Sequence, residues 1–194
     1  MLRKFCVCSG PLHFGCRNIS RDPFATLHRV MRAPWRGGYS RVNMFTRLAE
    51  VLPGQHALKV ARLNFASPGD VKFEAIQSIG ESIHKKVVMY IKTQPRVDAH
   101  ARRIKRILTA SGFNRRDVSE IPEGAIKIPS SRRAELEEAL NGIAEQLNVV
   151  NEFEALRAHS PNLVVFAKGA VTFVRQVEKL ALLQDQGLLN FSQE

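Results

Sequence analysis

The amino-acid sequence predicts an α+β fold that is mainly α, with a small β-hairpin, then amphipathic helices and a C-terminal antiparallel helix pair. Apolar residues recur at helical spacing over most of residues 74–187. Ser67-Pro68-Gly69-Asp70 is a strong turn signal, and it separates two short stretches rich in alternating apolar residues. The short connection AHSP, residues 158–161, joins two long helical patterns, and short connections are typical of antiparallel neighbours.

Charge is the second prominent property of the chain. It has 194 residues, 44% of them hydrophobic, so it can bury a core, and its net charge is +11. Residues 1–49 and 85–116 carry most of the Lys and Arg and one acid each, whereas the remainder is net acidic. Two basic blocks on an otherwise acidic chain indicate a localised surface for a polyanion. The alternative is a solvated helix face together with a basic arm.

Residues 1–40 show no clear periodicity and contain closely spaced Gly and Pro, which predicts a basic, disordered arm. Three interpretations remain open: an organellar transit peptide, an arm that follows phosphates, or a segment outside the folded unit. The expected location is the cytoplasm, or an organelle if the arm is a transit peptide. No window reaches the roughly 18 uninterrupted apolar residues of a membrane span, because the nearest, residues 163–174, contains Lys168.

All three cysteines lie in this arm. Together with His13, they are the candidate metal ligands: Cys6, Cys8, His13 and Cys16. The C-x-C spacing without a second knuckle argues against a zinc site, and an odd number of cysteines argues against a disulfide framework. The sequence therefore favours free thiols in a reducing compartment, and we predict no metal and no cofactor.

The predicted ordered part starts with a module at 41–124. Its hairpin pairs residues 57–66 with 70–74, and two helices follow at about 74–92 and 96–111, separated by Pro95. Gly112 is placed to end the second helix in the left-handed conformation. The second helix buries a stripe that consists of Val97, Ala101, Ile104 and Leu108, with Ile107 at its margin.

The chain runs in the order strand, SPGD, strand, IGESI, helix and LTASGF. In this order it resembles a loose group of bacterial proteins of no established activity. The resemblance covers about residues 56–121. It implies no mechanism.

A second resemblance concerns the end of this module, where Asn114 is predicted to begin a new helix with Asp117 as its capping partner. Gly112, Phe113, Asn114, Val118, Ser119 and Ile121 resemble the bacterial repressor helix-turn-helix motif. The resemblance implies that Arg115, Arg116 and Ser119 face a major groove while arginines of the preceding helix approach phosphates. The alternative is an ordinary corner between two helices. The candidate nucleic-acid-binding residues are Arg102, Arg103, Lys105, Arg106, Arg115, Arg116 and Ser119.

Residues 130–187 are predicted to form a helical hairpin of two helices, 130–157 and 161–187, followed by a tail at 188–194. The first helix has an apolar seam at Leu136, Leu140, Ile143, Leu147 and Val150. The second is too apolar to be covered by one partner. We expect it to pack on the rest of the domain or on a second copy, which would make a homodimer.

The chain contains no phosphate-binding glycine loop, no H-E-x-x-H and no G-x-S-x-G motif, and we predict no catalytic residues. The function predicted from sequence is therefore a non-enzymatic, basic nucleic-acid-associated protein, with DNA as one candidate ligand. The alternative is a protein–protein interaction module, regulatory or structural, that docks through its hairpin and its apolar C-terminal helix.

Overall fold

The computed structural model describes Met31, the backbone of residues 59–64, 70–74 and 77–79, and residues 80–189 in full. This part of the chain is mainly α-helical, as the sequence predicts. Strands β1 and β2 pair antiparallel, with Lys59 opposite Glu74 and Asn64 opposite Asp70. The elements in chain order are β1 (Lys59–Asn64), β2 (Asp70–Glu74), α1 (Gln77–Ala110), a 3-10 turn (Glu123–Ala125), α2 (Ser130–Gln146), α3 (Val150–His159) and α4 (Leu163–Asp185).

Helix α1 is the centre of the described fold. It has 34 residues, so it is about 51 Å long at 1.5 Å per residue. It packs extensively against both α2 and α4. Buried residues recur along one side of α1 at helical spacing, which confirms the predicted stripe. They are Val87, Tyr90, Val97, Ala101, Ile104, Ile107 and Leu108.

The prediction that Pro95 separates two helices is wrong, because α1 runs through it without interruption. Proline lacks the N–H that would bond to the carbonyl of Ile91, four residues earlier. Both residues are exposed, so water can solvate that carbonyl. On the buried side, Tyr90 Oη donates a hydrogen bond of 3.0 Å to Asp98 Oδ1 and bridges the proline. Burial raises the pKa of Tyr90, and the bond to Asp98 acts in the same direction.

The predicted helix 130–157 is also divided in two, between α2 and α3. Asn148 adopts a left-handed conformation with φ of 50°, which asparagine tolerates better than most residues. The turn changes the helical phase, so Val149 is buried whereas Val150, predicted to continue the seam, is 42% exposed. Lys86 of α1 fixes the corner, because its Nζ donates to the carbonyl of Asn148 at 3.2 Å.

Helix α4 lies mainly against α1, as expected for a helix too apolar for one neighbour, and α2 also packs chiefly on α1. The predicted C-terminal antiparallel helix pair is therefore not a self-contained unit, because α2 and α4 each pack mainly on α1 and little on each other. Met31, within the segment predicted to be an arm, is helical and fully buried. Its Cε would lie 3.6 Å from a Cβ added to Gly169 of α4. The arm prediction therefore does not hold at Met31, and the rest of residues 1–40 lie outside the described part.

Candidate nucleic-acid interface

Helix α1 carries five exposed cations on its outward side. Lys85 lies about two turns before the others, and the remaining four form what we call the basic face: Lys92, Arg96, Arg102 and Arg106. At 100° per residue they fall within about 120° of the helix circumference, and at 1.5 Å per residue they extend over about 21 Å. Within the described residues, none of the four forms an ion pair with an acid. These positions are outward because α2 and α4 cover the opposite side of α1.

Arg103, the next candidate along α1, points to the border with α2. Its Nη2 atom lies 2.9 Å from Glu138 Oε2, and its Nε atom lies 3.8 Å from Glu135 Oε2. Its charge is therefore shared with two carboxylates of α2, unlike the charges of the basic face. Sequence spacing could not have shown this pairing, because the acids are more than 30 residues away along the chain.

Lys105 lies on the other border, toward α4, and is half-buried. Burial lowers the pKa of its ammonium group, and the positive charge of Arg175 lowers it further. Glu178 and Asp98 act in the opposite direction. Lys105 thus belongs to the contact between α1 and α4 rather than to the basic face.

The segment that follows α1 does not form the second helix of a helix-turn-helix motif. Gly112 ends α1 with φ of 74°, as predicted, and the Phe113 N–H donates to the carbonyl of Leu108 at 2.8 Å. After α1, the next α-helix begins at Ser130. Residues 113–122 instead follow an irregular path that buries Phe113 and Val118, so the prediction of a helix from Asn114 is wrong.

Local hydrogen bonds explain why helix is avoided here. Asp117 Oδ1 accepts hydrogen bonds from the Ser119 backbone N–H at 3.0 Å and from its hydroxyl at 2.7 Å. Such side-chain bonds compete with helix formation. They also leave Ser119 only 2% exposed, so the predicted groove-reading role of Ser119 is excluded in this conformation. Arg115 and Arg116 remain exposed on the same segment.

This irregular segment is attached to α4 through Asn162, a fully buried side chain. Its amide nitrogen donates to the carbonyls of Val118 and Ile121, both at 2.7 Å. Its Oδ1 accepts the N–H of Val165 at 2.9 Å and caps α4. A second attachment comes from Lys168, whose buried Nζ donates to the carbonyl of Arg116 at 2.7 Å. The backbone that carries Arg115 and Arg116 is therefore restrained by hydrogen bonds from α4 and its N-cap.

Glu123 is the third attachment, and its carboxylate joins three elements. It accepts hydrogen bonds from Arg133 of α2 at 2.6 Å, from Arg157 of α3 at 3.2 Å, and from the backbone N–H of Leu163 at 2.7 Å. Sequence analysis singled out neither Glu123 nor Asn162. The one local signal was the polar Asn162 immediately before an apolar helix, which is an N-cap pattern.

Acid should weaken the attachment made by Glu123. Burial acts to raise the pKa of its carboxyl, but the hydrogen bonds from Arg133 and Leu163 and the charges of Arg157 and Arg133 together lower it. A lowered folded-state pKa stabilises the fold above the unfolded pKa, and this stability is lost as pH falls through the folded value. We therefore expect the difference in unfolding free energy between wild type and Glu123→Gln to shrink from pH 7 to pH 3, measured by urea unfolding.

Glu145→Gln is the matched control, because Glu145 is exposed on α2 and forms no ion pair within the described residues. Its unfolding free energy should follow the wild type at both pH values. A constant difference for Glu123→Gln across this range would contradict the ionic contribution of Glu123.

Within residues 80–189, no group of three His, Cys, Asp or Glu side chains is arranged to hold a metal ion. The four metal-ligand candidates Cys6, Cys8, His13 and Cys16 lie outside the described part. No helix that the structure describes is both long enough and apolar enough to cross a membrane. Comparison of the chain with protein-family models, with curated proteins and with solved structures found no match.

Proposed function

We propose that the protein binds nucleic acid without catalysing a reaction, and that it contacts phosphates through the basic face of α1. The observation that carries this proposal is the exposure of Arg102 and Arg106, one helical turn apart and unpaired with any described acid. Phosphate contacts supply most of the affinity of sequence-independent binding. Because the helix-turn-helix geometry is missing, the proposal is backbone binding rather than base reading in a major groove.

Arg115 and Arg116 extend the set of candidate phosphate contacts. Both side chains are exposed, and the Lys168 bond to the Arg116 carbonyl restrains the backbone that carries them. Side chains on a restrained backbone lose less conformational entropy when they bind a ligand. These arginines therefore support the proposal, while Arg103, Lys105 and Ser119 contribute less than the sequence predicts.

Salt dependence provides the test, with a fluorescent 20-base-pair DNA duplex and an RNA duplex of equal length as probes. Four phosphate contacts should give a slope of log K against log salt of about −3.6 for B-form DNA. In Arg102→Glu/Arg106→Glu, each substitution removes an attraction of about 1 kcal/mol and adds a weaker repulsion, because the shorter Glu side chain holds its charge farther from the phosphate. We therefore expect the affinity of this variant to fall on the order of 100-fold, and the slope to become shallower by about 2. Fluorescence anisotropy over a salt series measures both quantities.

The control is Lys127→Glu/Lys179→Glu, which changes the net charge equally at two exposed lysines outside α1. Lys127 lies between the 3-10 turn and α2, and Lys179 lies on α4. This control should retain most of the affinity. Equal losses in both variants would show a response to net charge alone, and no salt-dependent binding by the wild type would contradict the proposed function.

A second candidate function is a protein–protein interaction module that docks through the C-terminal end of α4. Three leucines at or after this end are exposed, Leu182, Leu183 and Leu188, the last by 71%. Exposed apolar clusters are typical of interaction sites. Apolar docking should hardly respond to salt, and Leu182→Ser should weaken it while leaving nucleic-acid affinity unchanged.

A further inference from the structure

Arg103 occupies a position that would otherwise make it part of the basic face. At 100° per residue it lies between the directions of Lys92 and Arg96 on the α1 circumference, and its side chain is 36% exposed. What distinguishes it is the neighbouring helix, because Glu135 and Glu138 of α2 both approach its guanidinium group.

The contact between Arg103 and these acids is open to solvent on both sides. The side chains of Glu135 and Glu138 are 48% and 66% exposed. Ion pairs at such positions stabilise a fold only weakly and are screened by salt. A guanidinium group binds carboxylate and phosphate oxygens through the same planar donors. A phosphate can therefore replace the carboxylates without breaking any part of the core.

From these contacts we infer that Glu135 and Glu138 compete with phosphate for Arg103 and thereby limit the affinity of the basic face. The inference rests on the proposed function and adds the residues that regulate it. The two carboxylates hold Arg103 in the absence of ligand and repel phosphates at the border between α1 and α2. Nucleic acid then binds chiefly to the side of the basic face away from α2.

The double variant Glu135→Gln/Glu138→Gln tests this directly, in the full chain and with the same DNA duplex. It should bind two- to fivefold tighter than wild type, the range expected for release of weak surface ion pairs. Its slope of log K against log salt should steepen by about 0.9, because one additional phosphate is contacted. Arg103→Gln should remove this gain in the double variant and have little effect in wild type.

The matched control is Glu145→Gln/Glu154→Gln, which also removes two negative charges, but at other exposed positions on α2 and α3. Its affinity gain should be smaller, with an unchanged slope. An equal gain in control and test variant would overturn the inference and leave the proposed function standing. A large effect of Arg103→Gln in wild type would also overturn it, since Arg103 would then already be contacting phosphate. Absence of salt-dependent binding by every variant, wild type included, would overturn both proposals.

Discussion

Replacement of Asn162 by alanine should lower the free energy of unfolding by about 3 kcal/mol, because one buried side chain forms hydrogen bonds with three backbone groups. The carbonyl of Ile121 and the N–H of Val165 would lose their Asn162 partner, while the carbonyl of Val118 would keep the Ile121 N–H as a donor. Loss of a helix N-cap alone costs about 1 kcal/mol. Asn162 is fully buried, so water cannot readily take its place. Urea unfolding followed by circular dichroism measures the change.

Two further variants separate the roles of this side chain. Asn162→Ser retains an acceptor for the cap but cannot reach both carbonyls, so its unfolding free energy should lie between those of wild type and Asn162→Ala. Asn141→Ala is the matched control, because Asn141 is exposed on α2, and its unfolding free energy should change by about 0.5 kcal/mol or less. A change below 1 kcal/mol for Asn162→Ala would contradict this role of Asn162, because it would mean that Lys168, Glu123 and the apolar contacts hold the segment after α1 without it.

The nucleic-acid affinity of Asn162→Ala also tests which regions form the proposed interface. Asn162 bonds to the segment that carries Arg115 and Arg116, but it does not contact the basic face of α1. If both regions bind phosphate, loss of Asn162 should reduce affinity less than Arg102→Glu/Arg106→Glu does, at a temperature where both variants are folded. The affinity ranking of these variants thus indicates how the binding surface is divided between α1 and the segment after it.

The regular parts of the fold were predictable because local spacing determines which side of a helix is apolar. Val97, Ala101, Ile104 and Leu108 are buried as predicted, and Gly112 ends α1 in the left-handed conformation. These features depend on neighbours within one or two helical turns. The sequence pattern alone is sufficient for such short-range relations.

The irregular segment and the charge pairing depend on distant residues, and here the sequence was insufficient. Glu123 bonds to residues 10, 34 and 40 positions away, and Arg103 pairs with acids of another helix. Nothing in the local spacing of RRIKR shows which cations are partnered. Ser119 was predicted to face a groove because residues 112–121 resemble the helix-turn-helix motif, but the hydrogen bonds of Asp117 and the burial of Val118 favour a different path.

Pro95 illustrates a local rule that tertiary structure overrides. A proline inside a helix costs about 3 kcal/mol relative to alanine, so the sequence favours a helix end there. Residues of α1 are buried both before the proline, at Val87 and Tyr90, and after it, at Val97 and Ala101. This packing outweighs the cost, and the exposed position leaves the carbonyl of Ile91 accessible to water. The same reasoning implies that the cost is still present in the folded protein.

Pro95→Ala should therefore stabilise the fold, by up to about 3 kcal/mol, which corresponds to an increase in Tm of roughly 6 to 12 °C for a chain of this size. The added N–H can complete the helical hydrogen bond to Ile91. Pro129→Ala is the control, because Pro129 precedes the first residue of α2, where proline breaks no helical hydrogen bond. Its Tm should stay the same or fall slightly, since the unfolded chain gains freedom.

Tyr90→Phe separates the two explanations for continuity at Pro95. If the Tyr90–Asp98 bond only bridges a helix that packing already holds, its removal should cost about 1 kcal/mol in wild type and the same in Pro95→Ala. If the bond is needed because of the proline, the cost should be smaller in Pro95→Ala, where the helix no longer requires a bridge. A lower Tm for Pro95→Ala than for wild type would contradict both explanations, because it would mean that the packing of α1 requires proline at this position.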